Sequence, residues 1–273
     1  FFGMDRERMV GLAYWGAIEY WGESNIWPKK GWDYSFFRHS LEPNSQAYLV
    51  KTIFKPEEPQ VHIGVAGKVD TLWWNDIVVG QTRVSSHWNR EIGKKYTVYT
   101  YTNGDEVELF VNNKSIGIKK NDDKKKPNVI TWKDVSYEPG TIHAVARKNG
   151  RVVAEHSLET ADKAVRLIME IENIGWKADG MDLQYVKVRA VDKRGRIVPT
   201  NDYVVSFDVE GPARIIATDN GDHSSDDLFS GKEKRLYEGF AMAIVRAGCK
   251  PGKVRLTATC KGLKSVSKTV VTE

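Results

Sequence analysis

From residue 49 to the C-terminus, apolar and polar side chains alternate along the chain with a period of two. Residues 106–111, 186–190 and 254–260 each show this alternation, which is typical of a β-strand that buries one face. Turn-forming residues interrupt the alternation every ~8–12 residues, and no helical period is evident. The pattern therefore predicts short antiparallel strands packed as β-sandwiches.

Two hairpins can be placed from their turn residues. Asn149-Gly150 separates the strand 141–147 from the strand 151–156, and this dipeptide supplies the two positive-φ positions of a type I′ turn. Asn112-Asn113 follows the strand 106–111 in the same way. Both sites predict tight turns between neighbouring antiparallel strands.

The length of the chain fits two sandwiches after an opening segment. One sandwich of this type takes ~100 residues, and the aromatic-rich composition of residues 1–48 ends where the alternation begins. A finished strand is followed by a new one near residues 160–163. The sequence thus predicts an all-β chain with domains 1–48, 49–160 and 161–273.

Charge and hydropathy exclude several classes of function. The chain has 41 Lys+Arg against 36 Asp+Glu, a net charge of +5, and the two signs are too interspersed for a nucleic-acid footprint. The basic run at residues 124–126 lies between Asp122-Asp123 and Pro127, so we interpret it as a solvated loop tip. No apolar run approaches the ~18 residues that a membrane span needs.

Cysteines and histidines indicate no site by their spacing. Cys249 falls at a turn and Cys260 on the apolar face of a strand, so we expect no disulfide between them. Two cysteines also cannot form a thiolate metal site. The histidines show no i, i+4 or triad-like grouping; they are His39, His62, His87, His143, His156 and His223.

The opening segment differs from the rest of the chain. Residues 1–48 hold four of the nine tryptophans. Residues 9–15 form a nearly continuous apolar run, which is typical of a strand buried on both faces. Residues 16–24 then mix aromatic rings, glycines and two carboxylates, which suits either the wall of a ligand pocket or the packing of a subdomain. Because a lone strand leaves backbone groups unpaired, we infer that residues 1–48 end a larger domain lying upstream.

Three stretches resemble glycoside hydrolase family 2. Residues 15–23 read Trp-Gly-Ala-Ile-Glu-Tyr-Trp-Gly-Glu, and Trp27-Pro28 follows; this resembles the eighth strand and following loop of the family's TIM-type barrel. Residues 99–113 resemble the immunoglobulin-like domain that follows the barrel. Residues 178–186, with 219–222, resemble the family's final immunoglobulin-like domain. The resemblance implies two tandem immunoglobulin-like β-sandwiches preceded by the end of a barrel.

The resemblance also implies a retaining hydrolase of terminal β-linked sugars, similar to a bacterial β-galactosidase. In the family both catalytic glutamates lie near the fourth and seventh barrel strands, and Glu19 and Glu23 match neither position. No residue of this chain is therefore assigned as catalytic, and the chain alone is expected to be inactive. Trp15 matches the tryptophan that lines the sugar subsite, so we expect Trp15, Glu19 and Glu23 to bind substrate.

Two alternatives do not need the barrel. Tandem sandwiches could bind polysaccharide through tryptophans, or these rings could be core packing; the residues concerned are Trp73, Trp74, Trp88 and Trp176. The cluster at 219–222, followed by Asp226-Asp227, could instead hold calcium in an adhesion-like module. Asx-turns around Gly221 would explain the same residues without a metal.

Partners and cofactors follow from these interpretations. We expect a carbohydrate substrate, reached through the barrel, with no nucleotide cofactor, no metal, no nucleic acid and no membrane span. The sequence does not define the oligomeric state or the compartment, because an exported parent would carry its signal upstream of Phe1.

Overall fold

The computed structural model describes residues 15–24, 27–74, 77–172 and 175–273. The side chains of residues 68–81 are not described within this range. The chain divides into two compact units, residues 1–160 and 161–273. The buried strand expected over residues 9–15 lies almost wholly outside the described residues, which begin at Trp15.

The opening segment contains little regular structure. Strand β1 (Tyr20–Trp21) pairs antiparallel with β2 (Gly31–Trp32), and Ile18 forms a parallel bridge with Phe37. Helix α1 (Ser45–Phe54) then leads into the first sandwich. The sequence pattern did not reveal this helix, because only Ser45 and Thr52 of its ten residues are buried and no apolar stripe marks its inner face.

The first sandwich consists of eight antiparallel strands in two sheets. One sheet has the order β4-β3-β5-β8 and the other β10-β9-β6-β7. Alternate residues of both sheets point inward, such as Val107, Leu109 and Val111 of β6. The strands are β3 (Val61–Trp74), β4 (Ile77–Ser85), β5 (Lys95–Thr102), β6 (Glu106–Val111), β7 (Lys114–Lys120), β8 (Val129–Ser136), β9 (Thr141–Lys148) and β10 (Arg151–Glu159).

The second sandwich also has eight strands, in the order β14-β16-β12-β11-β18-β17-β13-β15. Its two halves are joined where β11 runs parallel to β18 through the pair Arg166↔Lys264, and their apolar faces form one core. The strands are β11 (Arg166–Ile171), β12 (Leu183–Val191), β13 (Val204–Glu210), β14 (Ala213–Asp219), β15 (Glu233–Arg235), β16 (Phe240–Ala247), β17 (Gly252–Cys260) and β18 (Leu263–Thr272).

Both predicted tight turns are confirmed. Asn149 and Gly150 have φ values of 51° and 73°, and Asn112 and Asn113 have values of 49° and 64°. The flanking residues pair directly, as two-residue loops require. The all-β prediction is confirmed too, and the described residues contain no helix long and apolar enough to cross a membrane.

The cysteines behave largely as expected. Both are free thiols, and Cys260 is partly buried against the core of the second sandwich rather than fully buried. Residues 124–126 are exposed in a turn between β7 and β8, as a solvated loop tip should be.

Candidate functional site

Trp15, Tyr20 and Glu23 form a chain of side-chain hydrogen bonds. The indole Nε1–H of Trp15 donates to the Tyr20 hydroxyl oxygen at 2.9 Å. The Tyr20 hydroxyl in turn donates to Glu23 Oε2 at 2.6 Å. This bond to a carboxylate is the main reason why the pKa of the Tyr20 phenol is raised. The structure therefore brings two of the three predicted sugar-binding residues together, through a tyrosine that the sequence analysis did not assign.

The local backbone makes this arrangement possible. Gly16 has a φ of 70°, and a Cβ at this position would lie 3.0 Å from the Tyr20 ring. A side chain here would therefore be strained and would press on that ring. Tyr20 lies in β1, whose pairing with β2 fixes its direction. The Trp15 ring remains 80% exposed.

Glu19 lies in a different environment from Glu23. Its side chain is buried, with 5% exposure, and its Oε1 accepts a hydrogen bond from Asn44 Nδ2 at 2.9 Å. The same Asn44 amide donates to the Ser35 carbonyl at 3.0 Å. Since neighbouring residues of a strand point to opposite sides, Glu19 faces inward while Tyr20 turns towards Trp15 and Glu23.

The loop after Glu23 is fixed by a buried carboxylate. Asp33, whose side chain is 1% exposed, forms an ion pair with Lys29 Nζ at 2.9 Å and a second with the Arg83 guanidinium of β4. This arrangement ties residues 29–33 to the first sandwich. Trp27, joined to Pro28 by a cis peptide bond, presents a ring that is 80% exposed.

These contacts define what the segment can do chemically. Trp15 and Trp27 offer open aromatic faces, which can stack on the apolar face of a sugar ring, and Glu23 offers an acceptor for a hydroxyl. The two glutamates of the motif have different partners, since Glu19 accepts from Asn44 and Glu23 accepts from Tyr20.

Two of the four tryptophans considered for glycan binding are core residues. Trp88 is fully buried, with its Nε1–H donating to the Glu138 carbonyl. Trp176 is 2% exposed, and its Nε1–H donates to the Asp182 carbonyl. Neither can stack on a glycan. The side chains of Trp73 and Trp74 lie outside the described residues.

The acidic cluster at residues 219–222 is organised by Asx-turns. Asp219 Oδ1 accepts the N–H groups of Asn220 and Gly221, and Asp222 Oδ1 accepts that of Ser224. A cation of the chain itself lies nearby: Lys234, which is 2% exposed.

The buried ammonium of Lys234 joins two backbone carbonyls. Its Nζ donates to the carbonyl oxygens of Asp227 and Leu228 at 3.1 and 3.0 Å, and it lies 4.8 Å from the centre of the Phe229 ring. Burial lowers the pKa of this ammonium. In this loop the ammonium takes the place of a structural cation, because it donates to two neighbouring carbonyl oxygens at once.

Comparisons with known proteins identify the class of the chain. Residues 167–269 match the glycoside hydrolase family 2 C-terminal domain 5, and residues 93–154 match a domain of unknown function, DUF4982. The chain belongs to glycoside hydrolase family 2 and corresponds to a C-terminal portion of its enzymes.

Individual relatives agree with this assignment. A β-galactosidase of Bacteroides ovatus is 36% identical over 95% of this chain and 28% of its own length. A β-glucuronidase of Formosa agariphila is 31% identical over 84% of the chain and 21% of its own length. A solved family 2 glycosyl hydrolase from Bacteroides cellulosilyticus superimposes with a TM-score of 0.87 at 30% identity, covering 95% of this chain and 35% of that one. The chain thus spans about a fifth to a third of the length of these relatives.

We predict that Lys234→Met lowers the free energy of unfolding by ~1–3 kcal/mol, because methionine fills the space of the buried side chain but removes its two hydrogen bonds to the Asp227 and Leu228 carbonyls. Urea denaturation measures the change. The matched control is Lys232→Met, since Lys232 is 66% exposed and pairs with Asp208 only at 3.7 Å; its effect should stay within ~0.5 kcal/mol.

A calcium chelator should leave the melting temperature of the wild-type chain unchanged. A marked drop on chelation, or equal effects of Lys234→Met and Lys232→Met, would show that Lys234 is not the cation that organises this loop.

Proposed function

We propose that this chain is the C-terminal portion of a longer retaining β-glycosidase that hydrolyses terminal β-linked sugars. In this proposal residues 1–48 complete the wall of the sugar pocket at the end of a catalytic barrel, and residues 49–160 and 161–273 are accessory sandwiches. The observation that carries it is the hydrogen-bonded Trp15–Tyr20–Glu23 chain with its open indole face. The similarity to family 2 β-galactosidases and β-glucuronidases supports the reaction class.

Each residue of the wall has a distinct role in the proposal. Trp15 stacks on the sugar, and its Nε1–H bond to Tyr20 fixes the plane of the ring. Glu23 accepts a hydrogen bond from a sugar hydroxyl, and its bond from Tyr20 holds the carboxylate in place. Glu19 supports the wall from behind through Asn44.

The catalytic carboxyl groups belong to another part of the longer protein. Retention requires two carboxyl groups about 5–5.5 Å apart, one acting as nucleophile and the other as acid and base. Glu19 is buried on Asn44, whereas Glu23 is exposed and bonded to Tyr20. This division of partners argues against a nucleophile and acid within the segment.

The chain by itself should not hydrolyse a chromogenic β-galactoside. The expected rate equals that of buffer, because neither catalytic carboxylate is present. Hydrolytic activity that co-purifies with the folded chain would contradict this expectation. If Glu23→Gln abolished that activity, the reaction centre would lie within these residues.

In the longer enzyme, Trp15→Ala should lower kcat/KM about tenfold, since loss of the apolar area that an indole face buries against a sugar ring costs on the order of 1–2 kcal/mol. Tyr20→Phe, which removes both hydrogen bonds but keeps the ring, should give a smaller loss. The matched control is Phe54→Ala, a change at a 72% exposed aromatic residue at the end of α1. An unchanged kcat/KM in the Trp15→Ala variant would show that Trp15 does not contact the sugar.

A second candidate function is glycan binding by the chain itself, which the 80% exposure of both Trp15 and Trp27 favours. Affinity electrophoresis of the 273-residue chain in gels containing plant polysaccharides tests it. For a binding module, glycan should retard the migration of the wild-type chain and of the Phe54→Ala variant. It should not retard the double variant Trp15→Ala/Trp27→Ala. Equal migration of all three proteins with and without glycan would contradict this candidate.

A further inference from the structure

Two histidines that are distant in the sequence meet in the first unit. His62 of β3 and His156 of β10 belong to different sheets, and their ring centroids are 4.4 Å apart. His62 is 5% exposed and stacks on Tyr48 of α1, with centroids 3.6 Å apart and planes within 6°. One cluster therefore joins both sheets of the sandwich to the helix.

The hydrogen bonds of the cluster require a neutral His156. The backbone N–H of Ile63 donates to His156 Nδ1 at 3.2 Å, so this nitrogen must carry a lone pair and not a proton. An imidazolium, which has a proton on each nitrogen, cannot keep this bond. Burial, with a contribution from His143, lowers the pKa of His156.

His62 is held in a polar chain that reaches the helix. Its Nε2 lies 2.8 Å from Ser86 Oγ, and Ser86 Oγ lies 2.7 Å from Ser45 Oγ in the first turn of α1. Burial lowers the pKa of His62 to about 3, and the neighbouring His156 adds to this effect. A second imidazolium beside the first would repel it at this distance.

Several charged groups on the surrounding elements have partners other than the two histidines. On β10 and β9, Glu155 lies 3.4 Å from His143. On the helix side, Lys51 pairs with Glu58 at 3.1 Å. After β4, Arg90 bonds to Ser85 and to His87. On β5, the residue paired with His62 is Tyr101, a phenol that carries no charge in acid.

The helix held by this cluster is also connected to the candidate site. Asn44 immediately precedes α1 and binds Glu19. The other polar anchor of the helix is Thr52, whose Oγ1 accepts a hydrogen bond from Asn128 Nδ2 at 2.9 Å; neither of these two groups titrates. Among these contacts between α1 and the sandwich, only those of the histidines depend on protonation, because the carboxylate bound by Asn44 belongs to the opening segment.

We propose that the Tyr48–His62–His156 cluster is a proton-sensitive latch that holds α1 on the first sandwich near neutral pH and releases it in acid. The stabilising contribution is present above the ordinary histidine pKa of about 6.5. It is lost progressively as the pH falls from there towards the lowered pKa values of the docked state, because the released helix leaves both histidines free to bind protons.

Hydrogen exchange of the 273-residue chain between about pH 7.5 and pH 4.5 tests the latch, after correction for the intrinsic pH dependence of exchange. Below about pH 6, the protection of the α1 amides should fall about tenfold per pH unit for each histidine that takes up a proton on opening. The amides of β5 and β6, in the core of the same sandwich, should keep their protection over this range.

The decisive variant is His62→Gln/His156→Asn. Its side-chain amides can still reach Ser86 and accept the Ile63 N–H, but they bind no proton. The pH dependence of α1 protection should disappear in this double variant, and His62→Gln alone should reduce the slope. His143→Gln is the matched control, because His143 lies on the same sheet with a 28% exposed side chain and should leave the slope nearly unchanged.

Three results would overturn the latch. They are loss of protection in β5 and β6 in step with α1, pH-independent protection of α1 in the wild-type chain, and an unchanged slope in the double variant. If the double variant does not fold, the wild-type profile and the His62→Gln slope still decide between these outcomes.

Discussion

The candidate site depends on one amide side chain, that of Asn44. The described part of the opening segment has only two strands of two residues each, so regular strand pairing supplies only part of its backbone hydrogen bonds. Asn44 compensates by binding Glu19 and the Ser35 carbonyl through its side chain, while its backbone N–H donates to the Phe36 carbonyl. Because α1 begins at the next residue, the same residue connects the segment to the helix that docks on the first sandwich.

Strand geometry explains why the two glutamates of the motif differ. Successive side chains of an extended chain point to opposite sides, so Glu19 turns to Asn44 when Tyr20 turns to Trp15 and Glu23. Spacing alone does not show which side of the chain is buried, so the motif predicts both glutamates as sugar ligands, and the burial of Glu19 distinguishes the two. Tyr20 belongs to the same motif, residues 15–23, and the geometry gives it a role: its hydroxyl is hydrogen-bonded to both Trp15 and Glu23.

Local signals predicted the sandwiches well and their long-range contacts poorly. The turn at Asn149-Gly150 follows from two φ values that only a few residues tolerate, and alternation identifies the buried residues of β6 and β17. The contact between His62 and His156 depends on how two separate sheets pack, which no short window of sequence contains. Helix α1 is not apparent from the sequence for a related reason. Its buried residues are Ser45 and Thr52, which hold it through hydrogen bonds, and they form no apolar stripe.

The sandwich fold is shared by proteins with unrelated functions, so function has to be argued from the site that the fold carries. Here the site lies on a segment with little regular structure, and ordering such a segment costs ~1–2 kcal/mol per residue in backbone entropy. The Asp33 ion pairs with Lys29 and Arg83, together with the docking of α1, offset part of this cost by tying the segment to the first sandwich. If the segment forms the wall of a sugar pocket, as we propose, the first sandwich acts on that pocket indirectly: it keeps the wall ordered, so that substrate binding does not have to supply the ordering free energy.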